Sequence, residues 1–192
     1  QVNEEFIGTN NTLMKYAIRH NNIKIVKLLN EKGAKIPNKD NKGVTIFKNV
    51  INIHESIEIL RILLDNNISP NITYEKELNN VLYGSPLRMA VGKNNADMVK
   101  LLIDSGANVN AVTSRTGQTV LDHASNKSDK IKNLLKAAGA KTQEELDALS
   151  KAEDVNKVND DGNTPLIIAA LLGDTEEVEA LLKIEGIEVN KA

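Results

Sequence analysis

A helix-opening residue recurs on a grid along this 192-residue chain, and no other feature limits its fold so tightly. Thr12, Thr45, Ser85, Thr119 and Thr164 each begin a run of small and apolar residues, at spacings of 33, 40, 34 and 45. A Leu pair follows each one: Leu28-Leu29, Leu63-Leu64, Leu101-Leu102, Leu134-Leu135 and Leu181-Leu182. A closing glycine comes next at Gly33, Gly106, Gly139 and Gly186, with Asn67 in the second copy. Self-similarity at such a period, with two insertions, is the mark of a repeat array in which each unit buries its apolar face only against the next.

The physics of one unit is readable from its residues. The Thr or Ser hydroxyl caps free N–H groups at a helix start. Pro86 and Pro165 fall in a first helical turn, where a missing N–H costs nothing. Small residues, Ala17, Ala90, Ala124 and Ala169, allow a neighbouring helix to come close. Asn21-Asn22, Asn94-Asn95 and Gly173-Asp174 then break the helix. A second helix shows apolar residues at helical spacing, as in Ile23, Val26 and Leu29 or Met98, Leu101 and Leu102. The closing glycine suits a left-handed C-cap. Neither short helix would stand alone in water. Only 3% of residues are aromatic, which suits thin layers of packed aliphatic side chains better than one large core.

The units resemble the ankyrin repeat, through Gly162-Asn163-Thr164-Pro165-Leu166 with Ala169, and through Gly106-Ala107-Asn108-Val109-Asn110. The resemblance covers nearly the whole chain. It implies an all-α solenoid of stacked helix-turn-helix units with β-turn or finger loops, about five repeats plus a partial one. It also implies a non-catalytic protein–protein interaction module that binds through its concave groove and fingers. The family's proline position is Leu13, Ile46 and Val120 in three copies, and its histidine position is Lys15, Lys48, Arg88, Asp122 and Ile167. That histidine joins the hydrogen bonds that stiffen the turns, so looser turns are expected here.

Insertions subdivide the array. The second copy has one extra residue, expected between its helices near His54, and then a longer insertion over 71–84 that would form a finger. The fourth copy ends in Gly139-Ala140-Lys141-Thr142, similar to the closing cap of such arrays. A bare helix over Glu144–Lys151 precedes the fifth copy. The organisation expected is therefore 1–143, four repeats with a cap-like end, and 144–192, a capping helix plus a fifth repeat that starts a second or permuted array. Val2-Asn3 and Val189-Asn190 match one point of the repeat, and the chain opens on Gln1. It reads as a fragment, a processed form or a permuted array.

Other functions lack the residues they need. Net charge is −2 with no long block of one sign, so neither duplex nor single-stranded nucleic acid finds a footprint. No apolar run is long enough for a membrane span. With no Cys, disulfides and thiolate zinc sites are excluded. Of the three His, only His54 has a ligand-type residue at i+3 or i+4, Glu58, too few for a metal. His123, beside Ala124, is expected to be a buried core residue. Asp122-His123-Ala124-Ser125 holds the letters of a hydrolase triad, but on one helical turn the side chains cannot form the relay. No phosphate-binding glycine loop is present. No enzyme activity, cofactor or metal is expected.

The partner is expected to be another protein, contacted by groove-edge and finger side chains. These are Asn11, Arg19 and His20 in the first copy, and Lys42, Val44, Asn52 and Ile53 in the second. The third supplies Lys93 with Tyr74 and Tyr83 of its finger. The fourth supplies Arg115, Gln118, Asn126 and Lys127, and the fifth Asp161, Asn163 and Leu171. The Arg and Lys among them point to acidic features on the partner. Two alternatives stand beside this reading. The chain is a targeting segment of a larger bacterial effector or enzyme, a view the Lys, Asn and Ile bias favours, or it self-associates through 144–192. An intracellular location is expected, cytoplasmic or in a host cytosol.

Overall fold

The computed structural model describes residues 12–36, 46–53, 55–71, 85–113 and 116–189, without the side chains of Ile53, Ala152 and Glu153. These residues form two compact units, divided between Ala140 and Lys141. Helices and turns account for all regular structure among the described residues, with no strand.

Unit 1 holds α1 (Leu13–Arg19), α2 (Ile23–Glu31), α3 (Ile46–Lys48) running into a π-helical turn (Asn49–Ile53), α4 (Ile57–Asp65), α5 (Pro86–Gly92), α6 (Ala96–Asp104), α7 (Val120–His123) and α8 (Asp129–Ala137). The helices lie in two rows. First helices pack on first helices, α1 on the π turn, the π turn on α5, and α5 on α7. Second helices do likewise, α2 on α4, α4 on α6, and α6 on α8. The core is the layer between the rows. Met14 and Ile18, Phe47 and Ile51, Leu87 and Ala90, Val120 and Ala124 enter it from one side, and Val26, Leu60 and Leu63, Met98 and Leu102, Ile131 and Leu135 from the other. Each of the Val, Leu, Ile, Met and Phe side chains among them contributes about 1.5–3 kcal/mol, and the alanines less.

The capping expected from sequence is present wherever the residues are described. Thr12, Ser85 and Thr119 accept the amides of Lys15, Arg88 and Asp122 at 3.2–3.3 Å. Thr119 is also in a capping box, its own N–H donating to the Asp122 carboxylate at 2.9 Å. Thr45 lies outside the described residues. The second helices start on Asn22, Ser56 and Asn95. They end on left-handed Gly33, Asn67, Gly106 and Gly139, after which the amides of Ala34, Ile68, Ala107 and Ala140 donate back to Leu29, Leu63, Leu102 and Leu135.

The extra residue of the second copy is not between its helices. It is absorbed inside the first helix as the π turn, an i→i+5 widening that takes up one residue before the Ser56 cap of the second helix. The fourth copy has the opposite change, one residue fewer between Thr119 and Ser128 than between Ser85 and Asn95. The consequence is seen in the break. Asn22 and Asn95 donate their amides to Ala17 and Ala90 of their own first helix. Ser128 instead donates to Oδ1 of Asn94, in the preceding repeat, at 3.0 Å.

Unit 2 holds α9 (Gln143–Val155), α10 (Pro165–Leu172) and α11 (Thr175–Leu182). α9 is longer than the Glu144–Lys151 expected, because Thr142 and Glu145 cap it reciprocally and no breaker intervenes before Asn156. α10 and α11 pack as one helix pair, with Thr164 capping α10, Gly173 left-handed at the break and Asp174 capping α11.

Candidate functional site

One side-chain device fastens successive repeats. Asn71 donates to the Gly106 carbonyl at 2.9 Å, and its Oδ1 accepts the Asn108 amide at 2.7 Å. Asn110 donates to the Gly139 carbonyl at 3.1 Å. In unit 2 Asn156, itself buried, donates to Gly186 at 2.7 Å and accepts from Glu188 at 2.8 Å. A carboxamide suits this position because it offers a donor and an acceptor side by side. α9 thus stands to the fifth repeat as a second helix stands to the repeat after it.

On this frame the first helices of unit 1 turn one face away from the core. Residues seven and eight positions after the cap share that face by helical spacing, joined by the fourth in the first and fourth copies, whereas Asn49 and Met89 are buried at that position in the second and third. In the first copy they are Tyr16, Arg19 and His20, all exposed, with the Tyr16 and His20 rings 4.5 Å apart. In the second, half-buried Asn52 leaves its Nδ2 without a hydrogen-bond partner. In the third, exposed Lys93 pairs with Glu55 at 3.2 Å. In the fourth, His123, Asn126 and Lys127 line it, and Lys127 reaches back to the Gly92 carbonyl at 3.3 Å.

His123 is not the core residue expected. It is half-buried on this outward face, at the position Tyr16 holds in the first copy, and a Cβ on Gly92 would meet its Nε2 at 3.5 Å. Burial pushes its imidazole below the ordinary histidine range, and the cations Arg88 and Lys127 push it further down. The tying role expected to be lost with the family's histidine is filled in the third copy by Arg88. Its guanidinium donates to the Thr119 carbonyl and to Gln118 Oε1, both at 3.2 Å. Burial lowers the Arg88 pKa, and the Asp122 carboxylate opposes that shift.

The remaining candidates sit at turns or in unit 2. Gln118 is exposed but held by Arg88. Asp161 and Asn163 occupy a tight turn whose amides converge on Asn159 Oδ1 at 3.1 and 2.9 Å. Leu171 is 73% exposed on α10. Asn11, Lys42, Val44, Tyr74, Tyr83 and Arg115, and the 72–84 part of the inserted finger, lie outside the described residues, as does the Ile53 side chain. Sequence reasoning did not select Tyr16, Ile168 and Leu172, because an apolar residue at helical spacing reads as core. Among the described residues no three His, Asp or Glu side chains gather as metal ligands, and no helix is long and apolar enough to cross a membrane.

Comparison with known proteins agrees with this architecture. The family model described as ankyrin repeats in three copies matches residues 50–145, and the single ankyrin repeat model matches residues 161–192. A curated ankyrin repeat protein of Rickettsia felis is 32% identical over 103 residues, which cover 54% of this chain and 33% of that protein. The matched stretch is thus about a third of the relative's length.

Proposed function

The chain belongs to the ankyrin repeat family, whose repeats are protein–protein interaction modules, and we propose that it binds an acidic segment of a partner protein across the outward face of the unit 1 first helices. The observation that carries this reading is the row of Arg19, Lys93 and Lys127, with Tyr16, His20 and Asn126 between them, on three repeats fixed in register. Cations on a folded frame attract carboxylates without the cost of ordering their backbone, and exposed rings supply apolar area to anchor them. No catalytic step is assigned to these residues. The loop carrying Gln118 would set selectivity at the edge of the face, and the turn carrying Asp161 and Asn163 would offer a contact of its own in unit 2.

Charge reversal tests the reading. The triple variant Arg19→Glu, Lys93→Glu, Lys127→Glu is expected to lose binding of labelled polyglutamate and of partner proteins captured from lysate by at least about tenfold. Unchanged binding of both would remove it. A second reading has one observation in its favour. The matched relative is about three times as long as the stretch it shares with this chain, so the repeats would serve as the targeting part of a larger effector or enzyme inside a cell. The size of the natural gene product decides between a freestanding module and such a segment.

A further inference from the structure

The two units carry opposite charge. Residues 1–140 hold nineteen Lys and Arg against thirteen Asp and Glu, a net of +6, while residues 141–192 hold five against thirteen, a net of −8. The overall −2 hides this division. Within unit 2, Ile168, Leu171 and Leu172 form an i, i+3, i+4 stripe on α10, and all three are exposed, Leu172 to 77%. α10 is apolar on its remaining sides too, the pattern of a helix buried all round. The stripe ends at Gly173, and the next turn presents exposed Asp174, Glu176, Glu177 and Glu179. The equivalent positions in unit 1 hold Tyr16, Arg19 and His20, and Lys93, Asn126 and Lys127. One surface is apolar with an acidic border. The other is aromatic with a basic border.

We propose that the α10 stripe of one copy of this chain docks on the outward first-helix face of a second copy, with Leu171 and Leu172 against the Tyr16–His20 ring pair and the α11 carboxylates among Arg19, Lys93 and Lys127. The proposal rests on the groove reading above and names one acidic partner for it. Opposite fields steer the encounter, and the desolvated apolar stripe holds the complex. The interface joins two different surfaces, so it is heterologous, and it propagates into rings or short chains of copies rather than stopping at a symmetric pair.

Sedimentation velocity on the whole chain tests this. The average mass is expected to rise with concentration and the association to weaken at least about tenfold between ~50 mM and ~500 mM salt, as screening shortens. Leu171→Gln with Leu172→Gln, at positions 73% and 77% exposed, is expected to give a monomer that keeps its helical circular dichroism. So is Glu176→Lys, Glu177→Lys, Glu179→Lys, and so is the unit 1 triple charge reversal. Mixing the two charge-reversed chains is expected to restore association, because each then offers the other a complementary surface. A monomer at every concentration overturns the proposal, as does association that survives the Leu substitutions or is not restored by mixing. Polyglutamate binding to the Leu171→Gln, Leu172→Gln chain reads the groove separately. If it is retained while the wild type is monomeric, the groove reading stands and the second copy is not its partner.

Discussion

At the scale of single residues, two asparagines in equivalent positions have different surroundings. Asn21 and Asn94 both take a left-handed conformation at a helix break, with φ of 51° and 54°. Asn94 Oδ1 accepts the Ser128 amide, whereas Asn21 Oδ1 is buried with no partner. The cause lies in the following repeat. Ser56 donates its amide to Val50, a carbonyl that the widened turn brings within reach, so it does not call on Asn21. Glycine keeps the left-handed backbone in both places. Asn94→Gly is therefore expected to cost about 1 kcal/mol for the orphaned amide, and Asn21→Gly close to nothing, in urea unfolding. Glu55 is also left-handed, at φ 51°, and its ion pair with Lys93 is exposed and weak. Glu55→Asn is expected to stabilise by about 1 kcal/mol in the same measurement. His123 gives the pH dependence. Its folded pKa is depressed, so the unfolded chain takes up a proton first. Its contribution is intact above the ordinary value of 6.5 and is lost as pH falls through the lower folded value. His123→Gln is expected to flatten that part of the stability profile. Carboxylates bound on the face would raise the His123 pKa, which an NMR titration with polyglutamate would detect.

At the scale of helices and turns, most of the architecture was legible. Thr12, Ser85, Thr119 and Thr164 announce their helices because a capping hydroxyl acts within three residues of itself. The glycine C-caps are as local. What the sequence could not place was anything settled between repeats. The extra residue was countable, but the choice between a longer loop and a π turn depends on whether Phe47, Val50 and Ile51 keep their seats in the core, which they do. The missing residue of the fourth copy was silent, because the remedy comes from Asn94, 34 positions away. Arg88 was noted at the family's histidine position, but its tying role escaped notice for the same reason, since its partners belong to the next turn. The outward face was half legible. Its cations were found by position, as was Leu171 on α10, but Tyr16, Ile168 and Leu172 look identical to core residues until packing shows which side of the helix has neighbours. Phe47, with 0% exposure beside the π turn, ought to be the costliest single truncation. Phe47→Ala is expected to remove about 3–5 kcal/mol, read from the denaturation midpoint.

At the scale of the whole molecule, solenoid stability is a sum of neighbouring terms, so damage stays near its source. Asn156 joins α9 to the fifth repeat through two hydrogen bonds made by a buried side chain. Asn156→Ala is expected to raise amide exchange across α10 and α11 while leaving the protection of α5 and α6 unchanged. A uniform rise along the chain would show that the two units unfold as one.

The asparagine clasp has a further consequence, for what the chain tolerates. Asn71 secures the repeat behind it to Gly106 and Asn108, and the Ser85 hydroxyl starts the repeat ahead with its own cap. The bonds described at these two posts are all made by residues outside the interval 72–84. A change of sequence confined to that interval deletes none of these clasp or cap bonds, so each post keeps its own anchor.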